Sequence, residues 1–169
     1  MKAELFLRPA ALGDGGALCA FLIALGTNND HPGVLPMRRV PTAAGQDEWI
    51  QGYLDGGGHV LLLFDADRVL GCAELTVGKA PYRHHCAALG VSLLKEARGQ
   101  GHGTTMMKAL QAWAERQDGL ERIQLEVFHT NPGAIRLYER LGYVHEGRRV
   151  GAIKHEGESI DMIQMSLAL

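Results

Sequence analysis

Arg98-Gly99-Gln100-Gly101-His102-Gly103 stands between a stretch of extended character and a stretch of helical character. Glycine at alternate positions lets successive backbone N–H groups converge on one point. A helix starting there adds about half a positive charge at its N-terminus. Such a turn suits a pyrophosphate. It is not the dinucleotide fingerprint, because Thr104 occupies the position of the last glycine, and it is not a P-loop, because no Gly-Lys-Ser/Thr follows. One strand later comes Asn131-Pro132-Gly133-Ala134-Ile135-Arg136-Leu137-Tyr138-Glu139-Arg140-Leu141-Gly142-Tyr143. Here Asn sits at a helix N-cap, Pro in the first turn and Gly142 just past the end.

Working outward from these two stretches, the chain alternates between strand and helix signals. Residues 4–9 read as a strand ending at Pro9. Gly13-Asp14-Gly15 opens a helix with Leu18, Phe21, Leu22 and Leu25 at helical spacing, stopped by Gly26. Residues 27–46 read as a long loop, a feature that in compact domains is usually functional. Asp47 to Leu54 reads as a second helix. Strands follow at His59–Asp65 and Val69–Val77, with Ala66-Asp67 as a hairpin turn, and a third extended stretch runs over 84–93. The glycine turn opens a helix reaching about Asp118, and Ile123–Phe128 is a strand with Gln124, Glu126 and Phe128 on one side. After the Asn131 helix, residues 143–169 form a hairpin turning near His155-Glu156-Gly157. The order β-α-α-β-β-β-α-β-α-β-β predicts a mixed α/β fold, one domain over 1–169.

Composition limits the functions available. Of 169 residues, 46% are hydrophobic and 21% charged, and 17 Lys+Arg against 19 Asp+Glu leave a net charge of −2. That balance excludes wholesale disorder and gives no electrostatic basis for capturing nucleic acid or a membrane surface. No apolar run approaches the roughly 20 residues of a membrane helix, and no basic segment with a long apolar stretch opens the chain. The expectation is a cytoplasmic protein. Cys19, Cys72 and Cys86 fit no zinc spacing, and His84-His85 lacks a carboxylate or thiolate at ligand spacing, so no metal is expected. Trp49 and Trp113 sit at core spacing, and Arg148-Arg149 reads as a solvated strand pair.

Together the two motifs make the sequence resemble the GNAT superfamily of acetyl-CoA-dependent N-acetyltransferases. Arg98, Gly101 and Gly103 match its Arg/Gln-x-x-Gly-x-Gly/Ala pattern. Asn131, Ala134, Leu137, Tyr138, Gly142 and Tyr143 match Asn-x-x-Ala-x-x-Leu-Tyr-x-x-x-Gly-Phe/Tyr. The resemblance implies a twisted, mostly antiparallel mixed sheet flanked by helices, and acetyl-CoA as cosubstrate. Residues 99–104 (Gly99, Gln100, Gly101, His102, Gly103, Thr104), with Arg98, would hold the pyrophosphate. The strand ending at Leu93, with Leu94 beyond it, would offer backbone groups to the pantetheine arm, and Asn131 would contact that region. Tyr138 would be the general acid for the leaving thiolate, the lesser alternative being a residue that packs helix against sheet. Lys95 and His102 depart from the commoner pattern (often proline and an aliphatic residue) without removing a backbone donor.

The base and the acceptor are less determined. An amine attacks only when neutral: at pH 7 about one lysine-like amine in 2,500 is, against about one in seven for an α-amine. A carboxylate base therefore matters most for the former. Leu125-Glu126-Val127, five positions before Asn131 at the glutamate, resembles GNAT enzymes that acetylate the N-terminus of a ribosomal protein, which implies Glu126 as base. A solvent-facing strand glutamate would look the same, and Glu74 is the second candidate. The acceptor is expected to be a small-molecule amine such as an amino acid, with Arg38 or Arg39 on the long loop gripping its carboxylate. Pro81-Tyr82-Arg83-His84 and the final strands look like bacterial relatives of that branch, in which dimers through the sheet edge occur. The alternatives are a protein N-terminal or lysine acetyltransferase, or a non-catalytic acetyl-CoA sensor.

Overall fold

A computed structural model describes residues 5–27 and 40–169. Seven strands form one sheet in the order β1-β2-β3-β4-β5-β7-β6. The strands are β1 Leu5–Pro9, β2 Gly58–Asp65, β3 Arg68–Val77, β4 Cys86–Leu93, β5 Arg122–Phe128, β6 Val144–His155 and β7 Glu158–Ala168. The helices are α1 Gly15–Thr27, α2 Ala43–Gly52, α3 His102–Ala114 and α4 Pro132–Arg140. Every neighbouring pair is antiparallel except β4 with β5, which is joined by the crossover through α3. The α/β architecture expected from the sequence is the one observed.

Local chemistry accounts for the element ends. The Asn131 side chain accepts from the Ala134 amide at 3.1 Å and starts α4. Glu156 and Gly157 both have positive φ, the mirror-image turn whose twist suits a two-residue hairpin between β6 and β7. Two boundaries differ from expectation. Helix α2 begins at Ala43, inside the expected loop, because Thr42 caps it by accepting from the Gly45 amide. Helix α3 ends at Ala114 rather than near Asp118.

The sheet divides the helices. On one face, Met106 of α3 abuts Gly71 and Leu93, Trp113 stacks on His59 of β2 with ring centroids 4.9 Å apart, and Leu137 of α4 approaches Gly103 and Leu93. On the other face, α1 packs on β3 and α2 packs on α1, and the Tyr53 hydroxyl just after α2 meets Thr76 at 2.6 Å. Met106, Met107, Leu110 and Ala114 of α3 are all fully buried. At about 1.5–3 kcal/mol for each large side chain, that stripe anchors the helix whose N-terminus faces the site. No helix among the described residues is long and apolar enough to cross a membrane.

Candidate active site

Strands β4 and β5 begin as partners and then separate. Cys86, Ala87 and Ala88 pair with Arg122, Ile123 and Gln124, and no pairing continues beyond them. From Leu89 to Leu93 on one side and Leu125 to Phe128 on the other, facing backbone edges lie apart. A cleft of about 450 Å³ lies along the unpaired end of β4, within the usual range for a small-molecule site. Its lining includes Val91, Ser92 and Leu93 of β4, Gly99, Gly101 and Thr104 of the turn, and Leu137 and Tyr138 of α4. Leu25 of α1 also lines it.

The glycine turn forms one end. Gly99 and Gly101 have φ of 72° and 87°, the left-handed region that favours glycine, and a Cβ on either would meet only open space. Gly101 is the N-cap of α3 and brings no side-chain hydrogen bond to the helix start, whereas Thr42 and Asn131 cap α2 and α4. The first N–H groups of α3 are thus left for an exogenous acceptor beside the cleft. Arg98 lines the cleft and ties the turn to the strand, its Nε donating to the Leu93 carbonyl at 2.9 Å.

The expected binding residues do not all reach the cleft. Leu93, Arg98, Gly99, Gly101, Gly103, Thr104, Asn131 and Tyr138 line it. Leu94 does not: it is 1% exposed in the core and its amide donates to Leu70, because the chain turns under the sheet after β4. Gln100 is exposed and donates its side chain to the Glu96 carbonyl, and the His102 side chain lies off the cleft, which leaves those two only their backbone N–H groups to contribute. Asn131 spends its Oδ1 on the helix cap. Arg38 and Arg39 lie outside the described residues. Sequence reasoning named the strand ending at Leu93 without singling out Val91 or Ser92, and it gave no role to Gly133 or Arg140; all four line the cleft. Gly133, Leu137 and Arg140 stand at i, i+4 and i+7, a helical face that the Tyr138 motif already pointed to.

Tyr138 is 7% exposed, and burial pushes its hydroxyl up to about 12. Its ring lies 5.9 Å from that of Tyr143. The phenol therefore stays protonated throughout the physiological range and can only donate to a neighbouring anion.

The two candidate carboxylates share the α1/α2 face of the sheet but differ in setting. Glu74 stands opposite Gly90, and its carboxyl lies over that glycine, where a Cβ would come within 2.1 Å of Oε1. Around it are Cys72, whose thiol points to Oε2 at 3.8 Å, and the Tyr53–Thr76 pair. Withdrawal from water raises the Glu74 carboxyl to about 7, only partly opposed by the Cys72 contact. Glu126, on the separated part of β5, is exposed and already engaged: Oε1 accepts from Arg149 Nη1 at 3.0 Å and from Gln164 Nε2 at 3.3 Å. The arginine pair is solvent-exposed on β6, as expected, and each member also makes an ion pair, Arg149 with Glu126 and Arg148 with Asp161.

A helix N-terminus opening on a gap between two parallel strands, with a buried tyrosine across it, is the arrangement the sequence motifs implied. The profile of the Acetyltransferase (GNAT) family matches residues 28–143, and the chain belongs to that family. Among curated relatives, L-amino acid N-acetyltransferase AaaT of Escherichia coli (strain K12) is 26% identical over 108 residues, which are 64% of this chain and 66% of that protein. A GNAT-family acetyltransferase from Streptococcus pneumoniae superposes with a TM-score of 0.87 at 23% identity, over 98% of this chain and all of the other. The structure of yncA from Salmonella typhimurium, solved with its cofactor acetyl-CoA, superposes with a TM-score of 0.85 at 19% identity, over 98% of this chain and 94% of that one.

Proposed function

We propose that the protein transfers an acetyl group from acetyl-CoA to the primary amine of a small molecule. The observation that carries this reading is the cleft along the unpaired end of β4, with an uncapped helix start at one end and Tyr138 in its wall. Acetyl-CoA supplies a thioester carbonyl open to attack and a thiolate able to leave. The N–H groups at the start of α3 would neutralise the pyrophosphate, assisted by Arg98. Val91 and the Leu93 amide would offer unpaired backbone to the pantetheine amides, while Leu137 excludes water from the same channel. The attested cofactor of the Salmonella typhimurium neighbour and the acceptor class of the Escherichia coli relative support this reading.

Chemistry at the reacting centre falls to two residues. Glu74, with a carboxyl near 7, is matched to receive the proton that the amine sheds as its nitrogen bonds to the acetyl carbon. This makes Glu74 the base in preference to Glu126, whose carboxylate is held by Arg149 and Gln164. Tyr138 stabilises the sulfur as the carbon–sulfur bond breaks. A phenol near 12 facing a thiol of ordinary pKa about 8.5 would lose about 5 kcal/mol on full proton transfer. Tyr138 therefore acts as a hydrogen-bond donor, and the thiolate takes its proton later from solvent.

Calorimetric titration tests the first step. Coenzyme A should bind at micromolar concentration, and Gly101→Val should weaken it at least 10-fold by forcing a branched side chain into left-handed backbone. No heat from either acetyl-CoA or coenzyme A would end this reading. Thiol release with a panel of amines then separates an enzyme from a sensor, since a sensor binds without turnover. For Tyr138→Phe, kcat should fall about 10- to 100-fold with unchanged donor affinity. The deficit should be constant between pH 6 and 9, because the hydroxyl does not titrate there.

A further inference from the structure

We propose that Arg149 is the receptor for a carboxylate on the acceptor, and that Glu126 positions it. This makes the acceptor an amine that also carries an acid group, and it rests on the acetyl-transfer reading above. In the sheet order β5-β7-β6, Arg149 starts two strands beyond β5, opposite Met162 of β7. Its side chain reaches back across β7 to Glu126, which stands opposite Gln164. The guanidinium thus comes to rest beside the part of β5 that has left β4, on the α1/α2 face where Glu74 also lies.

The residues that β4 presents between these two groups are small. Ala88, Gly90 and Ser92 point to this face from β4, the strand between Glu74 and the gap. A small acceptor resting there would have the Glu74 carboxyl on one side and the guanidinium on the other.

Arg149 retains the capacity to bind. One of its five N–H donors goes to Glu126, and the side chain is 57% exposed. A planar fork held at one corner by a carboxylate presents its other edge in a fixed direction, suited to two oxygens of a second carboxylate. Gln164 holds the same Glu126 oxygen, which limits how far the pair can swing. A polyamine would meet the opposite situation, with its second ammonium facing the guanidinium.

The experiment measures acetyl transfer from acetyl-CoA to three probes: a free amino acid that the enzyme turns over, its C-terminal amide and a linear diamine. The parent protein should prefer the acid. Arg149→Gln should raise KM for the acid about 10- to 100-fold and KM for the amide less than 3-fold, with kcat for the amide retained. Glu126→Gln should raise KM for the acid to a lesser degree and leave the pH profile of kcat unmoved, since a positioning residue takes no proton from the amine. Arg148→Gln, whose guanidinium serves Asp161, should leave the acid-to-amide ratio as it was. Turnover with equal effects of Arg149→Gln on acid and amide, or a preferred diamine, would overturn the assignment while leaving acetyl transfer intact. Absence of turnover on every amine, with coenzyme A still bound, would remove the enzyme reading and this inference together.

Discussion

Replacing Glu74 with Gln should lower kcat/KM at pH 8 by about 10²- to 10⁴-fold, the range associated with loss of a positioned base. In the parent protein the rate should rise with pH through about 7, as burial displaces the Glu74 carboxyl to that value and only its ionised form accepts a proton. The Gln variant should lose this limb and retain the later rise due to the acceptor amine itself. A second readout follows from linkage. A carboxyl raised in the folded state contributes stability that is complete below its unfolded value of about 4.5 and is lost as pH rises through about 7. The loss is at most about 3 kcal/mol. Glu74→Gln escapes it, so its Tm relative to the parent should be higher at pH 8 than at pH 4.5. If Glu126→Gln removes the limb near 7 and Glu74→Gln does not, the base is Glu126.

Substituting Gly90 with Val should be nearly as harmful to catalysis, although Gly90 carries no functional group. A Cβ at this position would lie 2.1 Å from Glu74 Oε1 and 2.7 Å from its carboxyl carbon. The obstructed atoms are the free end of a flexible side chain, so the carboxyl swings away and the fold survives. Activity then falls about 10²-fold, by the sensitivity of proton transfer to small misplacements. Coenzyme A affinity should change little. Thermal melting alongside calorimetry checks the separation: a variant that melts cooperatively and binds coenzyme A, but works at the parent rate, would show that Glu74 need not lie over β4.

What could be read in the chain was whatever consecutive residues decide. The 98–103 turn and the Asn131 cap depend on backbone chemistry within a few positions, and both formed as expected. Alternation along 123–128 put Glu126 on the side opposite Ile123, Leu125 and Val127, and there it is exposed. Its partner Arg149 lies 23 residues away, and the meeting depends on a β6–β7 register that shifts between His145 and Gly147. No local pattern encodes that. Glu74 was visible as a lone carboxylate in an apolar strand, yet its position over Gly90 follows from β3–β4 register. The start of α2 was missed because Ala43-Ala44-Gly45-Gln46 lacks apolar periodicity, leaving Thr42 as the sole signal. Leu94 was misplaced for a tertiary reason: the chain dives at the end of β4.

The separation of β4 from β5 also determines how the sheet breathes. It falls at the one parallel pair, where ladder bonds are slanted and somewhat weaker, so opening there sacrifices less than at any other seam. The two halves of the sheet are therefore stitched by Cys86–Ala88 with Arg122–Gln124 and by α3 crossing above. Amide hydrogens along the facing edges of 89–93 and 125–128 have no strand opposite to shield them, and they belong to the readily exchanging fraction of an otherwise protected sheet. A chain-like ligand lying between them would serve as the missing strand, and its arrival would be recorded as slowed deuterium uptake in the middle of the sheet rather than at its rim.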